Sequence, residues 1–132
     1  MEVSYRTNYP VAAAAVAELF DQSGIRRPTD DIERIQRLLD QANLTVTAWD
    51  GATLAGIGRA LTDFSFCCYL SDLAITRAYQ KQGIGRGIIE EFKRILVPKV
   101  MILLLSAPEA MSYYPHVGFE SADNAWILQR QT

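Results

Sequence analysis

The run Tyr79-Gln80-Lys81-Gln82-Gly83-Ile84-Gly85-Arg86-Gly87 places three glycines within five residues. Directly after it, Ile84, Ile88, Ile89, Phe92 and Ile95 recur at helical spacing, so the glycines stand at the start of an amphipathic helix. A helix N-terminus leaves backbone N–H groups unpaired and carries partial positive charge. Glycine lets that backbone approach an anion closely, and successive N–H groups in a turn make an anion nest. The chemistry this points to is the binding of a phosphate or pyrophosphate; the plain alternative is a helix start where glycine only eases packing. The G-x-x-x-x-G-K-[ST] pattern is missing. The spacing is also not G-x-G-x-x-G, and it falls late in a short chain, so a P-loop and a dinucleotide-binding fold are both excluded.

Other residues could do chemistry. Asp72 interrupts an apolar run and is costly to bury alone, so it belongs either to a pocket or to an ion pair with a nearby cation. His116 follows Pro115 and reads as a solvated turn histidine. The adjacent Cys67 and Cys68 would point to opposite faces of a strand, which forbids an ordinary disulfide and suits strand packing. Arg26 and Arg27 read as a solvated loop pair, with an acidic group on a substrate as the alternative, Arg59 and Asp63 as surface charges or else a pocket rim, and Trp49 and Trp126 as sheet-face packing. No Cys/His cluster has metal-ligand spacing, so no metal is expected.

The elements that must position these residues follow from periodicity. Glu2–Arg6 alternates as a strand, and Pro10 opens an Ala-rich helix to about Gln22, closed by Gly24. Asp30 with Glu33 resembles a capping box for a second helix whose buried face carries Ile32, Ile35, Leu38, Leu39 and Ala42. Strands are expected at Leu44–Trp49 and Thr53–Leu61 around an Asp50-Gly51 turn, and at Phe66–Ile75. The glycine-rich loop and a helix to Leu96 come next, ending before Pro98. Val100–Leu105 reads as a strand covered on both faces, followed by a short helix at Pro108–Tyr114 and a last strand near Asn124–Gln129. This is an α/β arrangement, a single domain over residues 1–132 in the order β-α-α-β-β-β-α-β-α-β, with a further terminal strand.

Composition agrees. A chain of 132 residues with 49% hydrophobic content can bury a core without staples. Thirteen Lys+Arg against fifteen Asp+Glu argue against a nucleic-acid-binding module. No run approaches the roughly 18 apolar residues of a membrane span. Acidic Glu2 precedes Val11–Ala17 where a signal peptide wants basic charge. A reduced, cytoplasmic protein is expected.

The pattern Gln80-x-x-Gly83-x-Gly85, after Leu70-Ser71-Asp72-Leu73-Ala74-Ile75, resembles motif A of the GNAT superfamily of N-acetyltransferases. The segment Tyr113-Tyr114-Pro115-His116-Val117-Gly118-Phe119 is similar to that family's F-Y-x-x-x-G-F motif, and the two stand in the expected order. The resemblance implies a mixed, mostly antiparallel sheet with helices on both faces, whose fourth and fifth strands splay apart beside a β-bulge. It implies acetyl-CoA as co-substrate, with pantetheine against the backbone of Leu73, Ala74 and Ile75. Pyrophosphate would lie on the N–H groups of Gln80, Lys81, Gln82, Gly83, Ile84, Gly85, Arg86 and Gly87, with charge from Lys81 or Arg86. Tyr114 would be the general acid for the leaving thiolate, with Tyr113 a core aromatic. Asp72 would receive a cationic amine, directly or through water, or relay its proton, unless it forms a structural pair. The family's Asn ahead of the short helix is replaced here by Ala107, next to Ser106. The implied function is acetyl transfer to a primary amine of a small molecule, in a monomer or homodimer, with no nucleic-acid or membrane partner. A non-catalytic CoA-binding module and a protein-modifying acetyltransferase are the alternatives.

Overall fold

A computed structural model describes residues 2–132. Its elements are β1 (Val3–Thr7), α1 (Ala13–Ser23), α2 (Ile32–Gln41), β2 (Leu44–Asp50), β3 (Thr53–Thr62), β4 (Cys67–Ile75), α3 (Ile84–Leu96) and β5 (Met101–Leu103). Short 3-10 turns cover Arg77–Tyr79, Pro108–Ala110 and Tyr114–Val117. The sheet runs β1-β2-β3-β4-β5 in space; its first three pairings are antiparallel and β4–β5 is parallel.

Both faces of the sheet are covered, which is why β3 is buried at nearly every position. On one face, α3 sets Ile84, Ile88, Phe92 and Leu96 against Leu44, Val46, Ala60 and Leu70. On the other, α1 and α2 bring Val16, Phe20 and Ile35 onto Ile57 and Ala74. Each such fully buried side chain stabilises the fold by roughly 1.5–3 kcal/mol.

Several boundaries differ from the sequence reading. Asn8 is still held to β2, donating its N–H to Thr45 O and accepting the Thr45 N–H on its side chain, so Pro10 lies before α1 and not in its first turn. The cap of α2 is Asp31, whose carboxylate accepts the Arg34 N–H; Asp30 is one residue too early. In place of the expected helix at Pro108–Tyr114 stand two 3-10 turns, one opened by Pro108 and the next, Tyr114–Val117, carrying Pro115 as its second residue; a proline supplies no N–H to a continuing helix. β5 is shorter than Val100–Leu105 and is an edge, with Met101 60% exposed, because β4 and β5 pair over three residues and then separate. No strand forms at Asn124–Gln129, and Trp126 is 97% exposed where packing was expected. Gly118–Asn124 instead borders an open groove of about 550 Å³ beside β5. Among the described residues no helix is long and apolar enough to cross a membrane.

Candidate active site

The site begins where β4 loses its neighbour. Pairing with β5 stops at Tyr69 opposite Leu103, while β4 continues to Ile75 with that edge open. The register between β3 and β4 steps at the same place: Ala60 faces Leu70 but Arg59 faces Asp72, which leaves Ser71 as an extra, bulged residue. The bulge inverts the facing of the strand. Cys68 and Leu70 belong to the α3 side, whereas Asp72 is set opposite Arg59 and Ala74 packs with α1 and α2. The carbonyls of Ser71 and Ile75 both accept side-chain donors at the open edge. Alternate residues of a strand aim their N–H and C=O the same way, so Leu73 presents both groups to this opening.

Below the opening stands the N-terminus of α3. Gly83 is its cap at φ +83, a conformation strained for any residue with a Cβ, and no atom stands within 4 Å of where a Cβ would be. The N–H groups of residues 81–86 donate to no acceptor among the described residues. The donors at either end of the run are used: Gln80 N–H bonds Arg77 O and Gly87 N–H bonds Gly83 O. Side chains in the run mostly serve the scaffold. Gln80 Nε2 donates to Ile75 O at 2.9 Å, Gln82 Nε2 to Ala78 O, and Ile84 is buried in the core; Lys81 is exposed. Gly87 is a packing glycine, since a Cβ there would lie 2.0 Å from the Tyr5 hydroxyl. Gly87→Ala is therefore expected to cost about 1–3 kcal/mol by overpacking, read as a lower urea midpoint, with a smaller loss in a Tyr5→Leu background.

Tyr114 is held to this helix through its own turn. Arg86 Nη2 donates to His116 O at 3.0 Å and Lys93 Nζ to Val117 O at 2.7 Å. The half-buried Tyr114 ring stacks edge-on against Tyr113 (5.3 Å between centroids) and Phe119 (5.6 Å), the latter returned onto it by the turn at Gly118. Burial, with Tyr113 alongside, raises the Tyr114 pKa above its ordinary 10.0, so the phenol keeps its proton. The Tyr113 hydroxyl lies against Gly85, 3.0 Å from where a Cβ would be, so this residue belongs to the wall of the site as well as to the core. His116 is exposed and contributes only its carbonyl here; the Ser106 hydroxyl donates to Ala107 O.

At the upper end lies a charge cluster. Asp72, with a fully buried side chain, accepts from Arg27 Nε on one carboxylate oxygen (2.5 Å) and from Arg59 Nε on the other. Arg59 also donates to Leu38 O and to the Ser71 hydroxyl. Arg27 donates through Nη2 to Ser71 O and through Nη1 to Arg26 O, tying the α1–α2 loop to the bulge. The sequence reading of Arg27 as solvated and Arg59 as surface is thus corrected. A guanidinium can be held inside only beside its counter-charge, and the register places Asp72 directly across from Arg59. The one available sign was an arginine inside the apolar strand Gly56-Ile57-Gly58-Arg59-Ala60-Leu61.

Comparison with known proteins agrees with this geometry. A family model described as an acetyltransferase (GNAT) domain matches residues 16–127. The chain is 31% identical over 70 residues to a Glycine max protein named histone acetyltransferase TAP1, a match spanning 52% of this chain and 30% of that relative. Among solved structures, a GNAT family acetyltransferase from Streptococcus pneumoniae TIGR4 superposes with a TM-score of 0.78 at 20% identity, covering 98% of this chain and all of the other. The aminoglycoside acetyltransferase AAC(6')-Iy, solved with a bisubstrate analogue of CoA, superposes with a TM-score of 0.74 at 13% identity over the full length of both. At these identities the structural likeness is one of fold.

Proposed function

Because the chain belongs to the GNAT acetyltransferase family, we propose that it moves an acetyl group from acetyl-CoA to a primary amine of a small molecule, in one complex with both. The observation that carries this reading is the pairing of an open β4 edge with a row of free N–H donors at the start of α3. Those features fit the two polar parts of CoA. The donors of residues 81–86 suit a pyrophosphate, with Lys81 adding exposed charge, and Leu73 suits the amides of pantetheine. When bound, acetyl-CoA supplies an activated acetyl thioester.

The chain's own residues then have three tasks. The N–H of Leu73 or its neighbours at the open edge polarises the carbonyl, an oxyanion-hole role. Tyr114 holds a proton on its hydroxyl for the departing thiolate, and its raised pKa keeps that proton available at neutral pH. The incoming amine must be neutral; an alkylamine of pKa near ~10.4 is mostly protonated at pH 7, so the site has to favour the uncharged form. Small-molecule acceptors are supported by the neighbours that act on aminoglycosides.

A thermal-shift titration tests the foundation. Acetyl-CoA and CoA at one hundred times their Kd should each add about 2.7 kcal/mol and raise the melting point by several degrees, with NAD inert. Absence of a shift with either CoA species would overturn the reading.

A further inference from the structure

The Arg27–Asp72–Arg59 cluster carries two positive charges and one negative. Among the described residues neither arginine pairs with a second carboxylate. Arg59 is spent: all three of its nitrogens are bonded inside, and only 7% of its side chain is exposed. Arg27 differs. Its Nε, Nη1 and Nη2 are each fixed, to Asp72, Arg26 O and Ser71 O, yet 29% of the side chain remains open. Each terminal nitrogen carries a second N–H beyond these bonds. The result is a guanidinium locked in plane before any ligand arrives, with surplus positive charge and an accessible edge.

Its position gives that charge a purpose. Ser71, which Arg27 grips, is the bulge residue at the point where β4 and β5 part, so the free edge of Arg27 stands beside the opening assigned to the thioester. We propose that the acceptor amine carries a carboxylate, and that Arg27 receives it there; this rests on the acetyltransferase reading above. A planar fork held by its own hydrogen bonds matches a carboxylate and loses little further freedom on binding it. A polycationic acceptor meets the opposite conditions. Asp72 is the one buried acid among the described residues, and each of its oxygens already accepts from an arginine. Exposed Arg26, next in the chain, adds to the same sign.

The experiment uses a panel of amino acids, each with its carboxamide and its decarboxylated amine, together with a polyamine and an aminoglycoside. Thiol release is followed at saturating acetyl-CoA. The carboxylated member of each set is expected to show at least a roughly tenfold higher kcat/KM. Arg27→Lys, which keeps the charge and loses the fork, is expected to raise KM for the carboxylated acceptors about tenfold more than for their carboxamides. Equal or better turnover of the carboxamides, the polyamine or the aminoglycoside overturns the inference. So does an Arg27→Lys variant that slows both members of a pair alike, which makes Arg27 only a pin for the loop. Stabilisation by acetyl-CoA with no turnover of any carboxylated amine overturns the acceptor assignment alone, whereas no stabilisation by acetyl-CoA removes the reading beneath it. The wild-type selectivity decides the matter even where the variant fails to fold.

Discussion

Tyr114→Phe is expected to lower kcat by about 10²–10³-fold, the usual worth of a positioned general acid, while the stabilisation by acetyl-CoA stays as in the wild type. The ring is placed by its edge-on contacts with Tyr113 and Phe119 and by the anchoring of its turn to α3, all of which the phenylalanine retains. The hydroxyl makes no hydrogen bond to the described residues, so its removal leaves no orphaned partner and costs little stability. The pH profile adds a check. Burial raises the phenol pKa, so any loss of kcat that traces to Tyr114 should set in at higher pH than an ordinary phenol would give. Steady-state kinetics across that range, on both proteins, read out each point. An unchanged kcat would remove Tyr114 from the chemistry. Binding of acetyl-CoA with no turnover of any amine in the panel, carboxylated or not, would favour a non-catalytic CoA-binding module.

Asp72→Ala should be the most damaging single change in the sheet. It leaves the buried Arg59 guanidinium and the half-buried Arg27 without their shared counter-charge, and breaking a buried pair from one side costs roughly 3–5 kcal/mol. Calorimetry should show a melting point lower by more than about 10 °C. Replacing the pair together, Asp72→Leu with Arg59→Met, should recover much of the loss, since apolar residues of similar volume remove the need for pairing. A loss below about 1 kcal/mol for Asp72→Ala would mean that water reaches the cluster and solvates the arginines.

The same cluster shows where the sequence stopped being readable. Patterns confined to a few neighbouring residues came through. The glycine run, the Asp50-Gly51 hairpin and the apolar face of Ile84, Ile88 and Phe92 each dictate their local structure, and the two motifs in order identified the family. Facts that depend on which residues face each other did not. Arg59 looked like surface because one charge in a strand carries no sign of its partner; the partner is supplied by a register step thirteen residues away at Asp72. Arg27 was hidden for the same reason, with its partner forty-five residues off. At the C-terminus, the apolar run Trp126, Ile127 and Leu128 suggests a strand, but a strand needs an edge to pair with, and here that stretch is exposed.

The bulge at Ser71 also constrains how this chain can change over time. With one surplus residue against β3, β4 is a string whose even-numbered positions switch sides midway, Cys68 and Leu70 to the α3 layer, Ala74 to the other. Removing Ser71 would leave Ala60 opposite Leu70 and Arg59 opposite Asp72, now as adjacent regular pairs, so both halves of the strand would keep their faces. What would go is the carbonyl that Arg27 grips, the hydroxyl that Arg59 reaches, and the bend at which β4 parts from β5. Descendants of this chain should therefore keep a residue at position 71, because the hold on Arg27 rests on a carbonyl that any residue type supplies, and only the Arg59 contact asks for a hydroxyl.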